Sequence, residues 1–112
     1  MEVSMNIKES DWKIFCEIKR EAAQVFCTRQ LDEAIKTITD ESEPVGERFN
    51  FMCQHSKESQ KKMKFIFDGH SRSRAFIQLM QMCEDGLVAP EQFERFSEEI
   101  KKDISSILER RA

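Results

Sequence analysis

The stretch that decides the fold is residues 59–84, SQKKMKFIFDGHSRSRAFIQLMQMCE, which combines many large apolar residues with concentrated positive charge. At about 100° per residue, a helix built from it carries two separate apolar stripes. A helix that is apolar on two sides usually packs on both sides. The sequence therefore predicts a central helix over residues 57–84. One stripe holds Met63, Ile66, His70, Ser73, Ile77 and Met80, and the other holds Phe65, Phe76, Leu79 and Cys83.

Gly69 is the weak point of this predicted helix. A glycine inside a helix costs about 1 kcal/mol relative to alanine, and His70 and Ser71 follow it directly. Two outcomes stay open, a continuous but kinked helix and a break at Gly69. The position of His70 on an apolar stripe predicts a core or boundary histidine that forms a hydrogen bond.

Helical signals cover most of the remaining chain. Ser10 and Pro44 mark two helix starts, Gly86 fits the left-handed position after a helix end, and Ser97 before two glutamates marks the last start. The first helix either kinks near residues 27–29 or packs its halves on different neighbours, because its apolar stripe changes side there. We expect an all-α fold, a compact orthogonal or bundle-like array of four main helices. These cover about residues 10–39, 44–56, 57–84 and 97–110, with a short helix over 91–96.

The length of 112 residues corresponds to one domain. Residues 1–9 lack clear periodicity, so we expect a flexible N-terminal arm followed by a single helical domain over residues 10–112. Nine phenylalanines and one tryptophan provide enough apolar surface to repay the entropy of ordering. Neither a signal peptide nor a membrane-spanning apolar run is recognisable, and four cysteines without a CxxC pair fit a reducing cytoplasm.

Charge is distributed unevenly along the chain. The net charge is −3, yet residues 1–47 hold 6 basic and 11 acidic side chains, whereas residues 57–74 hold 6 basic and 2 acidic ones. The simplest interpretation is that the basic helix packs near the acidic first helix. The alternative is a basic face that binds nucleic-acid phosphates, another anion or an acidic protein. Its candidate residues are Lys57, Lys61, Lys64, Arg72 and Arg74.

Patterns for metal binding and catalysis are not recognisable in the sequence. Cys16 and Cys27 are three helical turns apart, too far for one tetrahedral ion, and no Glu-x-x-His pair is present. The serines beside His70 lack a nucleophile elbow or a glycine-rich loop. We therefore expect a protein that is not an enzyme and has no metal and no cofactor.

Two stretches show a resemblance to known bacterial proteins. Residues 10–15 (SDWKxF) and 86–97 (GLVxxExFxxFS) resemble a small all-helical bacterial family of about this length, which implies a helical fold but transfers no functional residue. Separately, residues 79–96 resemble short C-terminal helical-hairpin modules built around a G-L-I-T-x-E-E-F turn, from which Ala89 and Pro90 depart. This second resemblance implies self-association or docking.

Three functions follow as hypotheses. The first is a non-enzymatic cytoplasmic protein that acts through protein–protein contact, self-association included. The second is binding of nucleic acid or another anion by the basic face in residues 57–74. The third is a helical bundle that binds a small ligand near His70, which requires a cavity beside that residue.

Overall fold

A computed structural model describes residues 7–111, which form five helices and no strand. The predicted all-α array of four main helices and one short helix is confirmed. The described part of the chain is elongated, with principal extents of 52 × 27 × 26 Å. The helices are α1 (Glu9–Ile38), α2 (Val45–Phe67), α3 (Arg72–Glu84), α4 (Pro90–Phe93) and α5 (Glu98–Arg111).

The first helix is continuous, and its two halves have different neighbours. Its buried apolar residues all lie before Cys27, where α1 also packs on α3. Beyond that point α1 runs beside α2, for example at Gln30. Arg29 also donates hydrogen bonds to the carbonyls of Asp85 and Gly86, just after α3. After the stripe changes side near residues 27–29, it includes Leu31 and Ile35, and both of these side chains are exposed. The predicted cap at Ser10 is wrong, because the helix begins one residue earlier with Lys8 at the cap position.

The predicted boundary between helices 44–56 and 57–84 is wrong. Helix α2 continues through His55, which lies half-buried against α1 with its Nε2 3.1 Å from the carbonyl oxygen of Gln30. The chain breaks instead at residues 68–71, where Gly69 adopts φ +79°. This is the left-handed region that L side chains rarely adopt. The glycine thus decides where the predicted central helix divides into α2 and α3.

The hydrophobic core lies at one end of the molecule, where α1, α3 and α5 meet. Helix α3 contacts α1, α2 and α5 and is the central element. Gly86 ends it as predicted, with φ +70° and with the Leu87 N–H bonded to the Met82 carbonyl at 2.9 Å. The fully buried core side chains include Phe15, Ile18, Ile66, Ala75, Leu79, Met82 and Ile104.

Most of the expected flexible arm, residues 1–9, lies outside the described residues. Of the part that is described, Ile7 is buried in the core cluster and Glu9 already belongs to α1. The Arg72 guanidinium donates a hydrogen bond to the Ile7 carbonyl. Residues 7–9 are therefore attached to the start of α3.

Candidate interaction surface

Helices α1 and α2 form an antiparallel hairpin whose outer half has no core of its own. From residue 28 to residue 65 no side chain is buried. Seven large apolar residues of this half are exposed. Met63 and Phe65 lie near the end of α2, and we call the other five, which lie nearer the tip, the apolar hairpin face. They are Leu31, Ile35, Val45, Phe49 and Met52, with exposed fractions of 63%, 59%, 74%, 59% and 39%.

These residues share one side of the hairpin. We call the line along which α1 and α2 contact each other the seam. On α1 it passes through Gln30, which accepts a hydrogen bond from Ser59. On α2 it passes through Arg48, which donates to the Ile38 carbonyl at 2.7 Å. Leu31 follows Gln30 and Phe49 follows Arg48, so each is rotated about 100° from the seam in the same sense. In an antiparallel pair, equal rotation from the seam brings both residues to the same side. The face is therefore continuous across both helices.

Charge also varies along the hairpin. The tip, residues 32–47, carries six acidic and one basic side chain, whereas residues 57–64 of α2 carry four basic and one acidic. Lys57, Lys61 and Lys64 are exposed around a shallow depression of about 400 Å³. Among residues 7–111, the ion pairs do not include any of these three lysines. Within residues 7–111, these three lysines therefore form no ion pairs with the acidic side chains of α1.

The two predicted arginines lie apart from the three lysines. Arg72 and Arg74 belong to α3, on the other side of the break at Gly69. Arg72 forms an ion pair with Glu9 at 3.3 Å, and the Arg74 side chain lies against Gly69. The structure therefore keeps Lys57, Lys61 and Lys64 together, engages Arg72 in bonds within the fold, and leaves Arg74 exposed beside Gly69.

The break between α2 and α3 produces a second cluster of chemical interest. His70 is exposed rather than part of the core, and its ring lies 4.9 Å from the Trp12 ring. Its Nε2 is 3.6 Å from the Cys16 Sγ, and its Nδ1 is 3.3 Å from the Lys19 Nζ. An open cavity of about 320 Å³ adjoins this cluster, lined by Cys16, Lys19, Arg20, Ala23, Phe67 and His70. The sequence analysis did not identify this cluster, because Cys16 and Lys19 lie more than 50 positions before His70 in the chain.

Lys19 connects that cluster to the backbone of the break through hydrogen bonds. Its ammonium group donates to the Gly69 carbonyl at 2.8 Å and to the Gln78 Oε1 at 3.2 Å. Partial burial is the main cause that lowers the pKa of Lys19 below its ordinary value. Gln78 is buried and donates in turn to the Asp68 carbonyl at 2.8 Å. This network fixes the backbone of the break and the position of His70.

A larger cavity, about 830 Å³, lies between Ile7, Phe76 and one side of α5. Ile7, which lines it, is the first of the described residues. Within residues 7–111, His, Cys, Asp and Glu side chains do not gather in groups of three that could hold a metal. None of the described helices combines the length and apolar content needed to cross a bilayer.

No protein-family model, curated protein or solved structure matches this chain.

Proposed function

We propose that this protein acts through protein–protein contact, as a homodimer that pairs its apolar hairpin faces. The observation that carries the proposal is the exposure of all five side chains of the apolar hairpin face, on a hairpin half without buried residues. Contiguous exposed apolar surface of this kind marks interaction sites in soluble proteins. Pairing two hairpins through these faces gives a four-helix bundle in which each helix has an apolar side to bury.

The charge distribution favours a second copy of the chain as the partner that covers the apolar hairpin face. If two hairpins pair antiparallel about a two-fold axis, the acidic tip of one lies beside the basic segment of the other. The tip (residues 32–47) and the basic segment (residues 57–64) are about 16 positions apart along α2, or roughly 24 Å at 1.5 Å per residue. A two-fold interface is self-complementary, so each contact of this kind occurs twice. The lysines without ion pairs within residues 7–111 then receive carboxylates from the second copy.

The protein needs no catalytic step for this role, and we place it in a reducing compartment such as the cytoplasm. Its four cysteines are all free thiols, which fits such a compartment. Both the non-enzymatic role and the location are proposals.

The test is the molar mass of the purified full chain in solution, measured by light scattering after size exclusion. We expect a dimer at micromolar concentration and a monomer for the double variant Ile35→Ser/Phe49→Ser. Phe65→Ser is the matched control, because Phe65 is 69% exposed but precedes the seam residue Ile66 and so lies on the opposite side of α2. A wild-type monomer, or a Phe65→Ser variant that dissociates as readily, contradicts the proposal.

Charge reversal tests the antiparallel arrangement. Lys61→Glu/Lys64→Glu places acidic groups against the acidic tip of the second copy and should weaken the dimer. Adding Glu41→Lys/Glu43→Lys to the same chain restores opposite charges and should restore the dimer. Failure of the four-residue variant to regain affinity excludes the antiparallel pairing.

Binding of nucleic acid by Lys57, Lys61 and Lys64 is the second candidate. It is favoured by their joint exposure on one side of α2. A salt titration with duplex and single-stranded DNA distinguishes it from dimerisation, because phosphate contacts give a steep loss of affinity with salt. Lys61→Glu/Lys64→Glu should abolish that binding, and unchanged affinity excludes the basic segment as the binding site.

A further inference from the structure

We propose that Cys16 is a nucleophilic thiol that exchanges with small anionic disulfides, with His70 as its positioning residue and Arg20 as the contact for the anionic group. This site is independent of the hairpin face. It lies at the break between α2 and α3, near the core end of the molecule.

The hydrogen bonds of Lys19 fix which nitrogen of His70 carries the proton. A lysine ammonium has three donors and no acceptor. Its three acceptors are the Gly69 carbonyl at 2.8 Å, the Gln78 Oε1 at 3.2 Å and the His70 Nδ1 at 3.3 Å. Because Nδ1 accepts, the proton of the neutral ring is on Nε2. That nitrogen is 3.6 Å from the Cys16 Sγ, so the ring N–H donates to sulfur.

A ring N–H aimed at the sulfur can stabilise negative charge on that atom during attack, and the thiolate is the nucleophile in disulfide exchange. A hydrogen bond from a ring N–H to an ionised acceptor is stronger than one to a neutral acceptor. The ammonium of Lys19 adds positive charge on the far side of the same imidazole. The contact with Trp12, at 4.9 Å between ring centroids, limits rotation of the ring.

The adjoining cavity admits a small molecule with a negative charge. Its volume of about 320 Å³ is at the lower end of small-ligand sites. Arg20 lines it and forms no ion pair within the described chain. A guanidinium binds a carboxylate in a bidentate manner. The cavity thus presents a cation beside the sulfur.

The proposed step is thiol–disulfide exchange. The Cys16 thiolate attacks one sulfur of the disulfide, a new S–S bond forms, and the original S–S bond breaks. The leaving sulfur departs with the electron pair of that bond as a thiolate. No further oxidant or reductant is needed, because one disulfide replaces another.

The other three cysteines lack these features. Cys53 is exposed on α2, without a hydrogen bond from the described residues. Burial raises the pKa of Cys83 to about 11, which keeps it a thiol at neutral pH. Of the four cysteines, only Cys16 has its sulfur within hydrogen-bond distance of a ring nitrogen in residues 7–111.

The test is reaction of the full chain with dithiobis(nitrobenzoate), an anionic disulfide, at neutral pH. The rate is followed by release of the coloured thiolate, and the modified residue is identified by peptide mass spectrometry. We expect Cys16 to react about tenfold faster than the more exposed Cys53. Cys16→Ser should remove the fast phase and Cys53→Ser should leave it intact. First modification at Cys53 overturns the proposal.

Three further variants separate positioning from mere structural support. His70→Ala should slow the Cys16 reaction about tenfold, and His70→Gln should recover part of the rate, because the glutamine amide can supply the N–H. Arg20→Gln should slow the anionic disulfide but not the neutral hydroxyethyl disulfide. Unchanged rates in His70→Ala, or equal slowing with both disulfides in Arg20→Gln, contradict the assigned roles. Circular dichroism of each variant confirms that it is folded.

Discussion

The carboxylate of Asp11, near the start of α1, holds the backbone and the hydroxyl of Ser97, immediately before α5. It accepts the Ser97 N–H at 2.9 Å and the Ser97 Oγ–H at 2.6 Å, and Asp11 is only 2% exposed. The Ser97 Oγ also lies 3.4 Å from the Ile100 N–H and so caps α5, as the sequence predicts. One buried acidic side chain thus joins the start of the first helix to the start of the last.

Asp11→Ala should lower the free energy of unfolding by about 2–3 kcal/mol, because it leaves polar groups of Ser97 without a partner. Ser97→Ala should cost about 1 kcal/mol through loss of the cap. The double variant should cost less than the sum, since the two residues share the same bonds. Urea unfolding measures each value. Asp103→Ala, at an exposed site of α5, is the control and should stay within about 0.5 kcal/mol.

The three glycines should respond to alanine in opposite directions. Gly69 and Gly86 have φ of +79° and +70°, so alanine there should cost about 1–2 kcal/mol. At Gly69 the new Cβ also lies 3.2 Å from the Arg74 Nε, which has to shift. Gly46 is helical with open space around it, so alanine there should stabilise by about 0.5 kcal/mol. Thermal unfolding of the three variants checks the signs, and a stabilising Gly69→Ala contradicts the left-handed break.

Gln78→Leu should destabilise the fold by about 1–3 kcal/mol. The amide of Gln78 donates to the carbonyls of Asp68 and Gly69 and accepts from Lys19, and leucine provides none of these bonds. The same variant should slow the reaction of Cys16, because the break that carries His70 loses its attachment. Gln81→Leu is the control, since Gln81 makes one long bond of 3.4 Å to Asp85. Equal effects in the two variants contradict the role of Gln78.

Stability should fall in alkaline solution in part because of Cys83. Burial raises the pKa of its thiol from 9.0 to about 11, so the folded state holds the proton more tightly than the unfolded state. This contribution is fully present below pH 9 and is lost as the pH rises towards 11. Two pKa units correspond to about 2.7 kcal/mol, and partial exposure of the thiol reduces the expected change to about 1–2 kcal/mol. The difference in unfolding free energy between wild type and Cys83→Ala, measured at pH 8 and pH 11, isolates it from other groups. A difference independent of pH contradicts the assignment.

Local signals in the sequence correctly indicated several elements. Gly86 ends α3 and Ser97 caps α5, because the left-handed cap and the side-chain cap depend on a few neighbouring residues. The same kind of signal failed at residues 55–56, where no break occurs. At this point α2 continues and His55 packs on α1. Its contact there is Gln30, which lies 25 positions earlier in the chain.

The candidate sites were only partly predictable. The basic segment was recognised from its lysines, but its separation from Arg72 depends on the break at Gly69, which the sequence left open. The apolar hairpin face was not recognised, since periodicity shows that a residue is apolar but not whether a neighbour covers it. His70 was assigned to an apolar stripe, and the left-handed Gly69 instead turns it towards Cys16.

The sequence by itself determined the all-α class and the ends set by local capping at Gly86 and Ser97, because these depend on periodicity and on residues a few positions apart. The tertiary structure alone decided three further features. A single helix, α2, runs through the predicted boundary at residues 56–57. The outer half of the hairpin stays uncovered, and His70 contacts Cys16. Each of these depends on contacts between residues far apart in the chain, whose formation is set by how whole helices pack.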